Sequence, residues 1–100
     1  MSKLTKEMWT HVAARVNQLK KMPYSALARL PQYSDVEKIC NGKAIRLATW
    51  IDEEEGQLGV AVHAAIKGIL GSETMVHDGF FMKEDGTIMH MPFERQLKDA

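Results

Sequence analysis

An α+β fold is the prediction for this chain. It comprises an N-terminal amphipathic helix and a short second helix, packed on one face of an antiparallel meander of about five strands. Three observations predict it. Apolar residues recur every three or four positions at the start of the chain, but every second position from Ser34 onward. Asn41-Gly42 and Asp85-Gly86 carry the strongest short hairpin signal. The strand runs follow one another with no long helical segment between them, so each strand is expected to pair with its sequence neighbour.

The first helix follows from Met8, Val12, Val16 and Leu19, which form one apolar stripe. Thr5 is the expected N-cap, with Leu4 and Trp9 placed as a hydrophobic staple around it. Lys20 and Lys21 suit the negative end of the helix dipole, and Pro23 stops the helix. In PYSALARLP a short second helix is expected, with Tyr24, Leu27 and Leu30 on one side and Pro31 at its end. Strands are predicted near 35–40, 43–52, 57–67, 74–83 and 87–91. The acidic DEEEG at 52–56 and Gly71-Ser72 are the remaining turns. The tail FERQLKDA is expected to form a helical turn or to fray.

Composition narrows the class. One hundred residues, 45% hydrophobic and 26% charged, suit a single domain over 1–100 with a core of its own. Cys40 is the sole cysteine, which excludes a disulfide framework or a four-thiolate zinc site and fits a reducing, cytoplasmic setting. The opening MSKLTKEMW is too polar for a signal peptide, and no run reaches the ~20 apolar residues of a membrane-spanning helix. No membrane partner is therefore expected. Residues 1–31 hold six basic residues against one acidic, and residues 32–100 hold seven against twelve. That asymmetry is compatible with a basic arm, but the chain has no net positive charge to neutralise phosphates, so nucleic acid is not an expected partner. There is no phosphate loop, nucleophile elbow, HExxH or CxxC, so the pattern points away from an enzyme.

Register then decides which side chains share a face. With Asn41-Gly42 as the turn, Glu37 opposes Arg46 and Val36 opposes Leu47. A four-residue loop at 53–56 sets Ile51 against Leu58, Leu47 against Val62, and Arg46 against His63. A turn at Gly71-Ser72 sets Val62 against Phe81, Ile66 against His77, and Asp78 against Ala65. A two-residue turn at Asp85-Gly86 sets Lys83 against Ile88 and Phe81 against His90.

One predicted face is a continuous apolar surface for the helix to cover: Val36, Ile45, Leu47, Ile51, Leu58, Val60, Val62, Ala64, Ile66, Phe81 and Ile88. The other face holds Trp50, Phe80, Met82, Met89 and Met91, a patch that a monomer would hide. These five are the expected interface anchors of a homodimer, or of a complex with another protein, in a domain with no catalytic role. The alternative is a small-ligand or catalytic site on the same face, built from Glu37, Arg46, His63 and Asp78. Without a ligand, those four form a cross-strand ion-pair ladder.

Met89-His90-Met91 raises the question of a soft-metal site. Alternation on a strand turns His90 away from the two methionines, and His77 lies about 13 Å from His90 along the sheet. Packing is the reading, and no metal or other cofactor is expected.

Overall fold

The computed structural model describes residues 2–66 and 75–91. Two helices, α1 (Lys3–Lys20) and α2 (Tyr24–Ala28), precede five strands: β1 (Tyr33–Cys40), β2 (Lys43–Glu54), β3 (Gln57–Ile66), β4 (Met75–Lys83) and β5 (Ile88–His90). Among the described residues the strands form one antiparallel sheet in the order β1-β2-β3-β4-β5. The α+β class and the helix-on-meander architecture are those expected. The turn predicted at Gly71-Ser72 and the tail FERQLKDA lie outside the described residues.

The apolar stripe of α1 is buried in full: Met8, Val12, Val16 and Leu19. It packs chiefly against β3 and β4. Ser2, not Thr5, is the N-cap, and its hydroxyl accepts from the Thr5 N–H at 3.1 Å. Leu4 therefore lies inside the first turn instead of before it, and Trp9 stays exposed. In α2, Leu27 is buried, with Tyr24 and Leu30 packed against the core.

The Tyr24 hydroxyl donates to the Glu53 carboxylate and so ties α2 to the end of β2. That bond, with partial desolvation and the charges of Glu53 and Glu84, pushes the phenol up to about 12. Only the neutral phenol donates. Its contribution is complete below pH 10, the ordinary phenol value, and is lost as pH rises through about 12. In an absorbance titration of phenolate, Glu53→Ala is expected to return this tyrosine toward 10.

Three turns set the register. Asn41-Gly42, with φ of 49° and 78°, is the two-residue turn predicted. Glu55-Gly56 repeats it with φ of 54° and 75°, so β2 runs to Glu54 and Ile51 faces Val60, not Leu58. The slip is two residues and leaves the faces unchanged. Glu55 is a poor residue for a left-handed position. Glu55→Asn is expected to stabilise the fold by about 0.5–1 kcal/mol, read as a melting temperature a few degrees higher. The last hairpin has a three-residue loop, Glu84-Asp85-Gly86. The Gly86 N–H reaches the Lys83 carbonyl at 2.8 Å, and Gly86 has φ of 92°. Asp85 accepts from the Thr87 N–H at 2.9 Å, and the Thr87 side-chain hydrogen bond together with this backbone one holds its carboxyl below the usual carboxylate range. Phe80, not Phe81, therefore faces His90.

The largest change is between β3 and β4, where Val62 faces Asp78 and not Phe81. That slip is odd, so β4 presents the opposite set of side chains to the helix. Val76, Asp78, Phe80 and Met82 lie on the covered face, and His77 and Phe81 on the other. The core is Met8, Val12, Val16, Leu19, Leu27, Cys40, Ile45, Leu47, Ile51, Leu58, Val60, Val62, Ala64, Val76, Phe80 and Met82. A second odd slip, of one residue, between β4 and β5 cancels the first, so Met89 stays on the face turned away from α1, as expected.

Candidate functional site

The sheet face turned away from α1 is built around an aromatic row. Tyr33 pairs with Trp50 across β1 and β2, and His63 pairs with His77 across β3 and β4. Trp50 and His63 are diagonal neighbours, because Ala48 is directly opposite His63. Successive ring centroids stand 4.9, 4.8 and 5.5 Å apart, with edge contacts at Trp50 and a stacked pair of histidines. His63 is buried. Alternation supplies each ring, since all four sit at outward positions of their strands.

Beside the row the face is paved with small residues, Gly59, Ala61 and Gly79. A Cβ built on Gly79 would stand 3.0 Å from the Met91 sulfur, and one on Gly59 would stand 3.4 Å from its terminal methyl. Met91 thus fills a trough made by the glycines and is itself fully buried. Its N–H donates to the Gly79 carbonyl at 3.3 Å.

The five predicted anchors are consequently dispersed. Phe80 and Met82, 1% and 2% exposed, belong to the core beneath α1, because the odd slip of β4 turned them inward. Met91 is buried in its trough, and Trp50 and Met89 are half-buried. The ligand-site residues separate as well. Glu37 faces Arg46 as expected, but Arg46 faces Ala65 rather than His63. Asp78 lies on the helix-covered face and accepts from the Gly79 N–H. His63 and Asp78 therefore share no face.

Edge strand β1 carries the three most exposed large apolar side chains among the described residues. Tyr33, Val36 and Ile39 are 42%, 52% and 65% exposed. On the aromatic side, Asp35 joins Glu37 and Arg46. The Arg46 Nε lies 3.7 Å from the Asp35 carboxylate, which also accepts from the Tyr33 hydroxyl at 2.7 Å. That hydrogen bond, with slight desolvation and the Asp35 charge, raises the Tyr33 phenol above its ordinary value. Asp35 was not singled out by the sequence pattern, although it stands two residues from both Tyr33 and Glu37 and so shares their face.

On the helix side, a groove of about 370 Å³ separates α1 from β1. His11, Arg15 and Lys38 line it above Val36 and Leu47. Arg15 is held there by donating to the Thr49 hydroxyl at 3.3 Å and to the Gln18 amide oxygen at 2.9 Å. The signal for this wall was the spacing of His11, Arg15 and Gln18, a polar stripe beside the apolar one.

The backbone of β1 completes the site. The Gln32 carbonyl accepts from the Ile51 N–H at 2.9 Å. Even-numbered residues therefore direct their backbone groups to β2, and alternation turns those of Tyr33, Asp35, Glu37 and Ile39 outward. Among the described residues no strand pairs with that outer edge.

Comparison with protein-family models, with curated proteins and with solved structures finds no match to this chain.

Proposed function

We propose that this domain is a non-enzymatic interaction module whose docking element is the outer edge of β1. The observation that carries the reading is the concentration of exposed large apolar side chains on one edge strand, whose outer side no described strand pairs: Tyr33, Val36 and Ile39. An edge with outward N–H and C=O groups is a template for another strand, and proteins that avoid such pairing blunt it with proline, bulges, short length or charged side chains. β1 is eight residues long and contains no proline, and its charges, Asp35, Glu37 and Lys38, restrict which strand can pair without shortening or bending the edge. Added-strand recognition draws affinity from main-chain hydrogen bonds and selectivity from the side chains that alternate beside them. On this reading the interface is the rim of the sheet and not the broad face, whose centre Met91 already occupies.

The test removes one outward donor. Proline is tolerated on an edge strand where its missing N–H faced solvent. Ile39→Pro is expected to keep the melting temperature within a few degrees and to abolish retention on an array of extended peptides, while Ile39→Ala, which keeps the N–H, retains binding. An array on which wild type and Ile39→Pro are retained equally, or on which wild type is not retained at all, excludes the β1 edge as the docking element.

A further inference from the structure

We infer that the strand this edge accepts is not a second copy of the chain but an extended segment of alternating basic and apolar residues. The inference rests on β1 being the docking edge, and it concerns the chemistry of the occupant.

A second copy is disfavoured by charge. Two β1 strands pairing antiparallel about a two-fold axis must have that axis perpendicular to the sheet, so directly opposite residues share a face. Each register that overlaps more than half of the strand is then centred on one of four residues. Centred on Asp35, the strand sets Asp35 against its own copy. Centred on Val36, it sets Asp35 against Glu37 of the copy. Centred on Glu37, it sets Glu37 against itself, and centred on Lys38 it sets Lys38 against itself. Like charges directly opposite are destabilising in every case.

The same residues fit a different strand well. On the aromatic side, Asp35 and Glu37 are both exposed and stand at alternate positions of the outermost strand, with the Arg46 guanidinium behind them on β2. A lysine or arginine at each facing position of an incoming strand meets a carboxylate. On the helix side, Val36 lies between those two positions, 52% exposed, beside the groove of about 370 Å³. An apolar side chain facing Val36 enters that groove, where the charged lining is Arg15 and Lys38 against Asp35 alone, a positive excess that disfavours a basic side chain there. The segment that satisfies both sides reads basic, apolar, basic opposite residues 37, 36 and 35.

Three blocked peptides of equal length separate the possibilities by calorimetry: lysine alternating with valine, serine with valine, and glutamate with valine. The lysine peptide is expected to bind wild type about tenfold tighter than the serine peptide, with the glutamate peptide weakest. Its advantage is expected to shrink as salt is raised. The double variant D35K/E37K, checked for an unchanged melting temperature, is expected to reverse the order of the lysine and glutamate peptides. Equal binding of the serine and lysine peptides, with both lost in Ile39→Pro, overturns the basic selectivity and leaves the edge as docking element. A mass by light scattering that doubles with concentration, and does not in Ile39→Pro, makes a second copy the occupant and likewise overturns the inference. Absence of binding by all three peptides together with a constant monomer mass overturns both the inference and the reading beneath it.

Discussion

Phe80→Ala is expected to cost about 3–5 kcal/mol, a large share of the roughly 5–15 kcal/mol that holds a domain of this size together. Phe80 is 1% exposed, pairs with Val60 on β3, and lies in the cluster that Met8 and Val12 of α1 complete. The Lys20 ammonium sits 5.8 Å from its ring centroid and closes the outer side. Removing the ring leaves a cavity that a helix-on-sheet core can only partly refill. Its chain neighbour is the control. Phe81 is half-buried on the other face against Met89 and the Gly59 backbone, so Phe81→Ala is expected to cost about 1–2 kcal/mol, in proportion to the smaller area removed from water. Urea unfolding of the two variants checks the assignment. Equal losses, or a larger loss at Phe81, contradict the placement of Phe80 beneath α1 and of Phe81 on the opposite face.

Gly79→Ala is the second variant expected to act strongly. Its new methyl would stand 2.7 Å from the Val60 carbonyl oxygen, in the backbone of the paired strand, and 3.0 Å from the Met91 sulfur. A side chain can swing aside, but a ladder carbonyl moves only if β3 and β4 part. A loss of about 1–3 kcal/mol is expected, toward the upper end because the obstacle is backbone. Gly59→Ala meets only side-chain atoms, the Phe81 ring at 3.3 Å and the Met91 methyl at 3.4 Å, and is expected to be milder. Combining Gly79→Ala with Met91→Ala removes the sulfur contact and leaves the carbonyl contact, so the denaturation midpoint is not expected to return to wild type.

The architecture was legible where a pattern had one reading. Met8, Val12, Val16 and Leu19 admit no face but a helical one, and Asn41-Gly42 admits little but a two-residue hairpin. Registers that depended on loop length were less secure. Glu55-Gly56 was hidden because a glutamate seldom takes positive φ, yet the error was even and harmless to the faces. Asp85-Gly86 suggested two loop residues where the chain uses three. The β4 error mattered most because Phe80, Phe81 and Met82 are all large and apolar, so period-two alternation cannot say which side is inward. Of the candidate site, the Glu37–Arg46 pairing survived because it depends only on the Asn41-Gly42 turn. The His63–Asp78 juxtaposition depended on the β3–β4 register and did not. The open edge of β1 follows from strand order. Alternation alone put Val36 on the covered face, but α1 lies over β3 and β4 and leaves the outermost strand half open.

The tightness of the first two turns also bears on how the chain can assemble. β2 belongs to two hairpins at once, one closing at Asn41-Gly42 and the other at Glu55-Gly56. Residues 33–66 can therefore become a three-stranded sheet without bringing together any points distant along the chain. Loop closure of that kind has a small entropic cost and is fast. The long-range event is the arrival of α1 on β3 and β4. Zipping of the ribbon is a local event, whereas docking of the helix decides which of its sides becomes interior.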